Sequence, residues 1–321
     1  MHPIRQILLA LDGSERADRA MSHAVAVARA CGACLVVARV LERSQLGSPG
    51  SNGLDRAHTR ALAERHLDAV IRTLQQQGVR CEKRIEEGDA ADAILGVAHA
   101  IGVDLIVVAT HGSGRRAPCL VGATAERILE LAECSVLVVP VDGARPDASF
   151  GSIVALLDGS KRAECVLPLV RRLGADRLLL ARLIGEPEVA RRSVTDCELA
   201  ARLTARNCAA AKAYLRTVAA ALPAMRSDTR VHRAPSIISA LRRLVAEERP
   251  DLLVLAAHGR SGDPEQRHGS IAFQLLRAPA VPTLVVQDRA PDRRPNAVTR
   301  QREIPISRPA SRRFVPLRTA N

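Results

Sequence analysis

At 321 residues the chain is longer than one ordinary domain needs, its eight Cys are too sparse for a disulfide scaffold, and no apolar run reaches the length of a membrane span. The net charge of +13 invites nucleic acid, but the excess is almost all Arg scattered over every segment, and an aromatic content of 1% leaves no platform for stacking bases. Reduced thiols, a cytoplasmic location and two domains are therefore expected, with nucleic acid excluded as a main partner.

The first apolar run predicts a strand at about Gln6 to Leu11, broken by Asp12-Gly13-Ser14, which opens a helix at about Ala17 to Cys31. MHPIRQILLALDG is thus too short, and too soon interrupted by Asp12, for a signal peptide. Cys31-Gly-Ala-Cys34 has the spacing of a redox pair, but it ends a helix, whereas redox pairs sit at a helix N-terminus where the dipole lowers the thiol pKa. Strands follow at about Cys34 to Leu41, Arg80 to Glu86, Leu105 to Thr110 and Ser135 to Pro140, with helices at about Leu54 to Gln77, Ala90 to Ala100 and Thr124 to Ala132. Val141 to Gly151, rich in Gly, Pro and Asp, reads as a linker.

Beyond it the same order returns. FGSIVALLDGSKRA from Phe150 matches IRQILLALDGSERA from Ile4, LLLARL from Leu178 matches LVVARV from Leu35, and DLLVLAAHG from Asp251 matches DLIVVATHG from Asp104. PTLVVQD from Pro282 pairs with SVLVVPV from Ser135, and a long helix is expected near Ser193 to Leu222. Matched segments in one order predict a duplicated domain, at 1–142 and 150–288. Short Val, Ile and Leu runs alternating with helices predict an α/β fold, each domain a doubly wound five-stranded parallel sheet. Residues 289–321, full of Pro and Arg, predict a disordered basic tail.

Each domain ends in an apolar strand whose free edge needs a partner. Pairing the two edges gives an intramolecular pseudo-dimer; a homodimer is the other way to cover such an edge.

Asp12-Gly13-Ser14 and His111-Gly112 end the first and fourth strands of one copy, as Asp158-Gly159-Ser160 and His258-Gly259 do in the other. In an open parallel sheet, ligands bind beyond the carboxyl ends of the strands where the order reverses, so each pair of loops faces one crevice. Gly112 and Gly259 allow close backbone approach to phosphate; Gly122 and Gly269 open helices whose N–H groups favour an anion, with Ser270 adding a hydroxyl. Asp12 and Asp158 suit an adenine amino group or a ribose hydroxyl.

Taken together, apolar strand then Asp-Gly-Ser, EEGDAADAILGVA from Glu86, and His-Gly followed at fixed distance by Gly resemble the universal stress protein family in tandem, to about Gln287. The resemblance implies strand order 3-2-1-4-5, dimerisation through the last strand and, in one branch, ATP binding. That branch carries Gly, two residues, Gly, nine residues, Gly, then Ser or Thr. Here Ala109 and Ala256 replace the first Gly, Ala123 takes the hydroxyl position with Thr124 beside it, Pro264 interrupts the second loop, and APS at Ala234 stands where the first copy has Gly88-Asp89.

Two functions follow: a regulator that binds ATP, with or without Mg2+, in one or both crevices, or an interaction module of the same fold that binds no nucleotide. Catalytic residues and metal ligands are not expected, and hydrolysis should be slow and incidental, because no HExxH, Walker, GxSxG, HIGH or SGGxDS signature occurs.

Overall fold

The computed structural model describes residues 3–42, 53–111, 121–141, 149–185, 194–222, 226–259, 272, 274–275 and 279–288. Gly112, Gly269, Ser270, most of the linker and the basic tail lie outside the described residues.

The N-terminal half runs β1 (Gln6–Leu11), α1 (Glu15–Cys31), β2 (Cys34–Leu41), α2 (Gly53–Gln76), β3 (Cys81–Glu87), α3 (Ala90–Ile101), β4 (Leu105–Ala109), α4 (Ala123–Leu131) and β5 (Ser135–Val139). The C-terminal half runs β6 (Ser152–Leu156), a 3-10 turn (Ala163–Val166), α5 (Leu167–Leu173), β7 (Arg177–Gly185), α6 (Val194–Ala220), β8 (Ser227–Ala234), α7 (Ile237–Glu248), β9 (Leu252–Ala256) and β10 (Thr283–Val286). Most of the helix expected before β10 lies outside the described residues. Where α1 is continuous in the first half, the second has a 3-10 turn and a short helix with Pro168 in its first turn. Proline lacks the N–H that an unbroken helix would need and starts a new one instead.

One ten-stranded sheet carries everything, in the order β3-β2-β1-β4-β5-β10-β9-β6-β7-β8. The first five strands are parallel and follow the order 3-2-1-4-5, as expected of this fold class. The C-terminal half shows the same order from the other edge. Asp104 fixes the start of β1 by accepting from the N–H groups of Arg5 and Gln6, and Asp251 does the same for Ser152, the first residue of β6.

The halves meet where β5 and β10 pair antiparallel, with Leu137 opposite Leu284. Val136, Leu137, Val138, Leu284, Val285 and Val286 are all 0% exposed, and the cores on both faces of the sheet run unbroken across this seam. Such strands bury both faces and need their apolar runs. The outer strands differ: Glu82, Lys83 and Arg84 on β3 and Asp228, Thr229 and Arg230 on β8 are exposed, so charge guards both free edges. Among the described residues no helix is long and apolar enough to cross a membrane.

Candidate functional site

Between β1 and β4 the chain leaves in opposite directions, and a cleft of about 370 Å3 opens there at the carboxyl ends of the strands. Its apolar wall comes from Ala10, Val40, Ala90, Ile94, Val108 and Ile128, and its polar rim includes Asp12, Glu42, Thr110, His111 and Thr124.

Local chemistry shapes each part. Ser14 caps α1, its hydroxyl accepting from the Ala17 N–H, while Asp12 Oδ1 accepts from both the N–H and the hydroxyl of Ser14. Gly13 between them has φ +83°, a conformation that glycine adopts without strain, and the Arg39 guanidinium packs against it so closely that a Cβ would come within 2.8 Å. Across the cleft Gly122 is the N-cap of α4, and a Cβ there would stand 3.1 Å from the Thr110 carbonyl oxygen. The N-cap Gly122 supplies no side-chain cap, and Ala123 and Thr124 of the first turn of α4 line the cleft, where helix N–H groups favour an anion. His111 lies against this helix mouth, and its Nε2 is buried without a hydrogen-bond partner among the described residues.

The C-terminal half repeats the loop. Ser160 accepts from the Ala163 N–H, Asp158 Oδ1 accepts from Ser160, and Gly159 has φ +84° with Arg182 packed against it. Asp158 Oδ2 abuts Gly259, which brings the two predicted loops together. His258, however, is 1% exposed and its Nδ1 lies 2.7 Å from Asp288, which in turn accepts from Arg162 at 2.8 Å. Asp288 is therefore part of the folded body.

Strand registers allow the two corners to be compared residue by residue. Position for position, Ala10 corresponds to Leu156, Val40 to Leu183 and Glu42 to Gly185. Ala90, first residue of α3, corresponds to Ile237, first residue of α7, and the Ile237 side chain lies 3.7 Å from where a Gly185 Cβ would be. Larger apolar groups thus stand at the corresponding positions of the second half.

Comparison with known proteins identifies the fold's relatives. The sequence model of the universal stress protein family matches residues 3–140. A universal stress protein of Thermus aquaticus is 36% identical over 138 residues, which are 42% of this chain and 98% of that protein. A protein of Staphylococcus aureus strain USA300, also named as a universal stress protein, is 32% identical over 138 residues, 42% of this chain and 83% of its own length. This chain belongs to the universal stress protein family. Its architecture recurs in a crystal structure of a universal stress protein from Archaeoglobus fulgidus, at 16% identity and TM-score 0.65 over 90% of this chain and 100% of that one. A further structure, of Pseudomonas aeruginosa, superposes at TM-score 0.63 and 16% identity over 88% of this chain and 93% of its own.

In this member of the universal stress proteins, the predicted residues Asp12, His111, Gly122, Ala123 and Thr124 line one cleft, with Gly13 and Ser14 forming the turn beside Asp12. Asp158, Gly159, Ser160, His258 and Gly259 gather at the equivalent corner of the second half. Reading for motifs missed the wall residues Ala10, Val40, Glu42, Ala90 and Ile94, and the two arginines under the glycines. Setting LVVARVLE from Leu35 against LLLARLIG from Leu178 would have shown the shared Arg and the change of Glu to Gly. The Cys pair behaves as its place at a helix end implies: burial pushes both the Cys31 and the Cys34 thiol up, away from the reactive thiolate.

Proposed function

We propose that this universal stress protein is a regulator that binds ATP, accompanied by Mg2+, in the cleft of its N-terminal half. The contrast between the two halves carries the reading: the cleft of the first is lined by Ala10, Val40 and Ala90, where the second carries the larger Leu156, Leu183 and Ile237. The cleft's volume of about 370 Å3 lies within the range of small-molecule sites, about 300 to 1,000 Å3. Its apolar wall suits a purine, and the uncapped α4 with His111 suits phosphate at the other end. Gly122, Ala123 and Thr124 would hold the phosphates and Asp12 the nucleoside side; Mg2+ would enter as companion of the triphosphate, since it keeps its waters and binds largely through phosphate oxygens. The bound nucleotide supplies charge and ordering, not chemistry on the protein. Asp12 and Ser14 are hydrogen-bonded to each other, which suits binding without turnover, so hydrolysis would be slow and incidental.

For the C-terminal half the larger side chains at these positions favour the second reading, an interaction and scaffold module. Paired through β5 and β10, the halves would act as a built-in dimer, in a cytoplasmic setting that keeps the thiols reduced. Equilibrium dialysis of the full chain with labelled ATP tests the proposal. One ATP per chain is expected, weakened by Asp12→Ala. Two per chain would return the second crevice to use, and no binding at millimolar ATP would leave only the interaction module.

A further inference from the structure

Glu42 is a carboxylate at the rim of the cleft with no counterpart in the other half, where Gly185 takes the position. It directly follows β2, two strands from β4, and adjacent strands lie about 4.8 Å apart, so its strand runs about 10 Å from β4, on the far side of the cleft from the mouth of α4. The residue is exposed, whereas the wall formed by Val108 and Ile128 is buried. A purine is the part of a nucleotide that gains by burial against that wall, which leaves the sugar at the rim beside Glu42. A carboxylate accepts two hydrogen bonds at once, matching a vicinal diol, and acidic residues in doubly wound nucleotide folds bind ribose hydroxyls in this way.

Resting on the nucleotide reading above, we infer that Glu42 binds the ribose 2′- and 3′-hydroxyls and makes the cleft selective for ribonucleotides with an unsubstituted diol. The backbone beside it is held in place, because the Leu41 carbonyl accepts from the Gly88 N–H ahead of α3, which Asp89 caps. The carboxylate therefore projects from a strand end fixed on both sides.

The test measures binding of ATP, 2′-deoxyATP, 3′-deoxyATP and GTP to the full chain, as wild type, Glu42→Gln and Glu42→Ala. Hydrogen bonds to a charged group imply a preference of about tenfold or more for ATP over either deoxynucleotide in the wild type. In Glu42→Ala that ratio should fall to about one, with 2′-deoxyATP affinity nearly unchanged, and Glu42→Gln should lie between. A ratio that persists in Glu42→Ala overturns the inference while leaving ATP binding standing. So does a change confined to ATP against GTP, which would assign Glu42 to the base. Absence of ATP binding in the wild type removes the nucleotide reading itself, and this inference with it.

Discussion

The two halves of the sheet share a loop and differ in what lies behind it. Asp-Gly-Ser makes the same turn twice, with the same hydrogen bonds, the same positive φ and an arginine under the same glycine. In the N-terminal half that turn borders an open cleft, and its neighbours there are the smaller ones. The recurring turn is thus first a local hydrogen-bonded turn that serves folding, and on the nucleotide reading it would become a binding element where its neighbours are small. Motif identity and site identity separate here because a motif fixes backbone, while the volume of a site is decided by side chains on three other elements.

The largest effect is expected where the comparison dissolves, at the seam that both halves share. Leu137 and Leu284 face each other there, both fully buried. Truncating either to Ala should cost about 2 to 5 kcal/mol, and because the cores are continuous both variants should unfold in one transition at the same denaturant shift. Two resolved transitions in denaturant, one unmoved by the substitution, would mean that the halves fold separately and the seam is mere contact.

Next comes transplantation of the larger side chains of the second half into the cleft of the first. Ala10→Leu with Ala90→Ile gives the N-terminal half the side chains that its counterpart already holds at Leu156 and Ile237. ATP affinity should fall at least about a hundredfold, or about 2.7 kcal/mol. The melting temperature should change little, since the added groups enter space and not packed core. Retained ATP binding would show that the nucleotide sits elsewhere.

Much of this was legible in the sequence, and what was hidden has a physical reason. Parallel strands buried on both faces must be continuous apolar runs, so β1, β2, β4 and β5 announce themselves, as does the helix opened by Asp12-Gly13-Ser14. The charged edge strands β3 and β8 are harder to see, yet their place was given by the repeat of the surrounding elements. A cavity is different. Whether Ala10 or Leu156 leaves space depends on Val40 or Leu183 one strand away and on Ala90 or Ile237 at a helix start, and no local pattern connects those positions. The His258 to Asp288 contact was hidden for the same reason, since it joins the ends of two strands and rests on the last residue before the tail.

The smallest expected effect separates the two outer edges of the sheet. His232 on β8 occupies the register position that Glu86 holds on β3. It is buried, and its Nε2 stands 4.0 Å from Glu247 on α7. Burial holds its pKa below the ordinary 6.5; Glu247 and Glu248 pull it back up, and Arg230 and Arg243 push it further down. The sign of the stability effect follows. Above pH 6.5 the imidazole is neutral in both folded and unfolded chains and contributes no pH dependence. As pH falls through 6.5 the unfolded chain takes up the proton first, so stability declines until pH reaches the lower, folded value. His232→Gln removes the titrating group while keeping a polar side chain of similar length. Denaturant unfolding at about pH 8 and about pH 5.5 should show a smaller acid loss in the variant than in the wild type, which isolates this histidine from the others. Equal acid losses would mean that β8, like β3, is too open to water for its charge to matter.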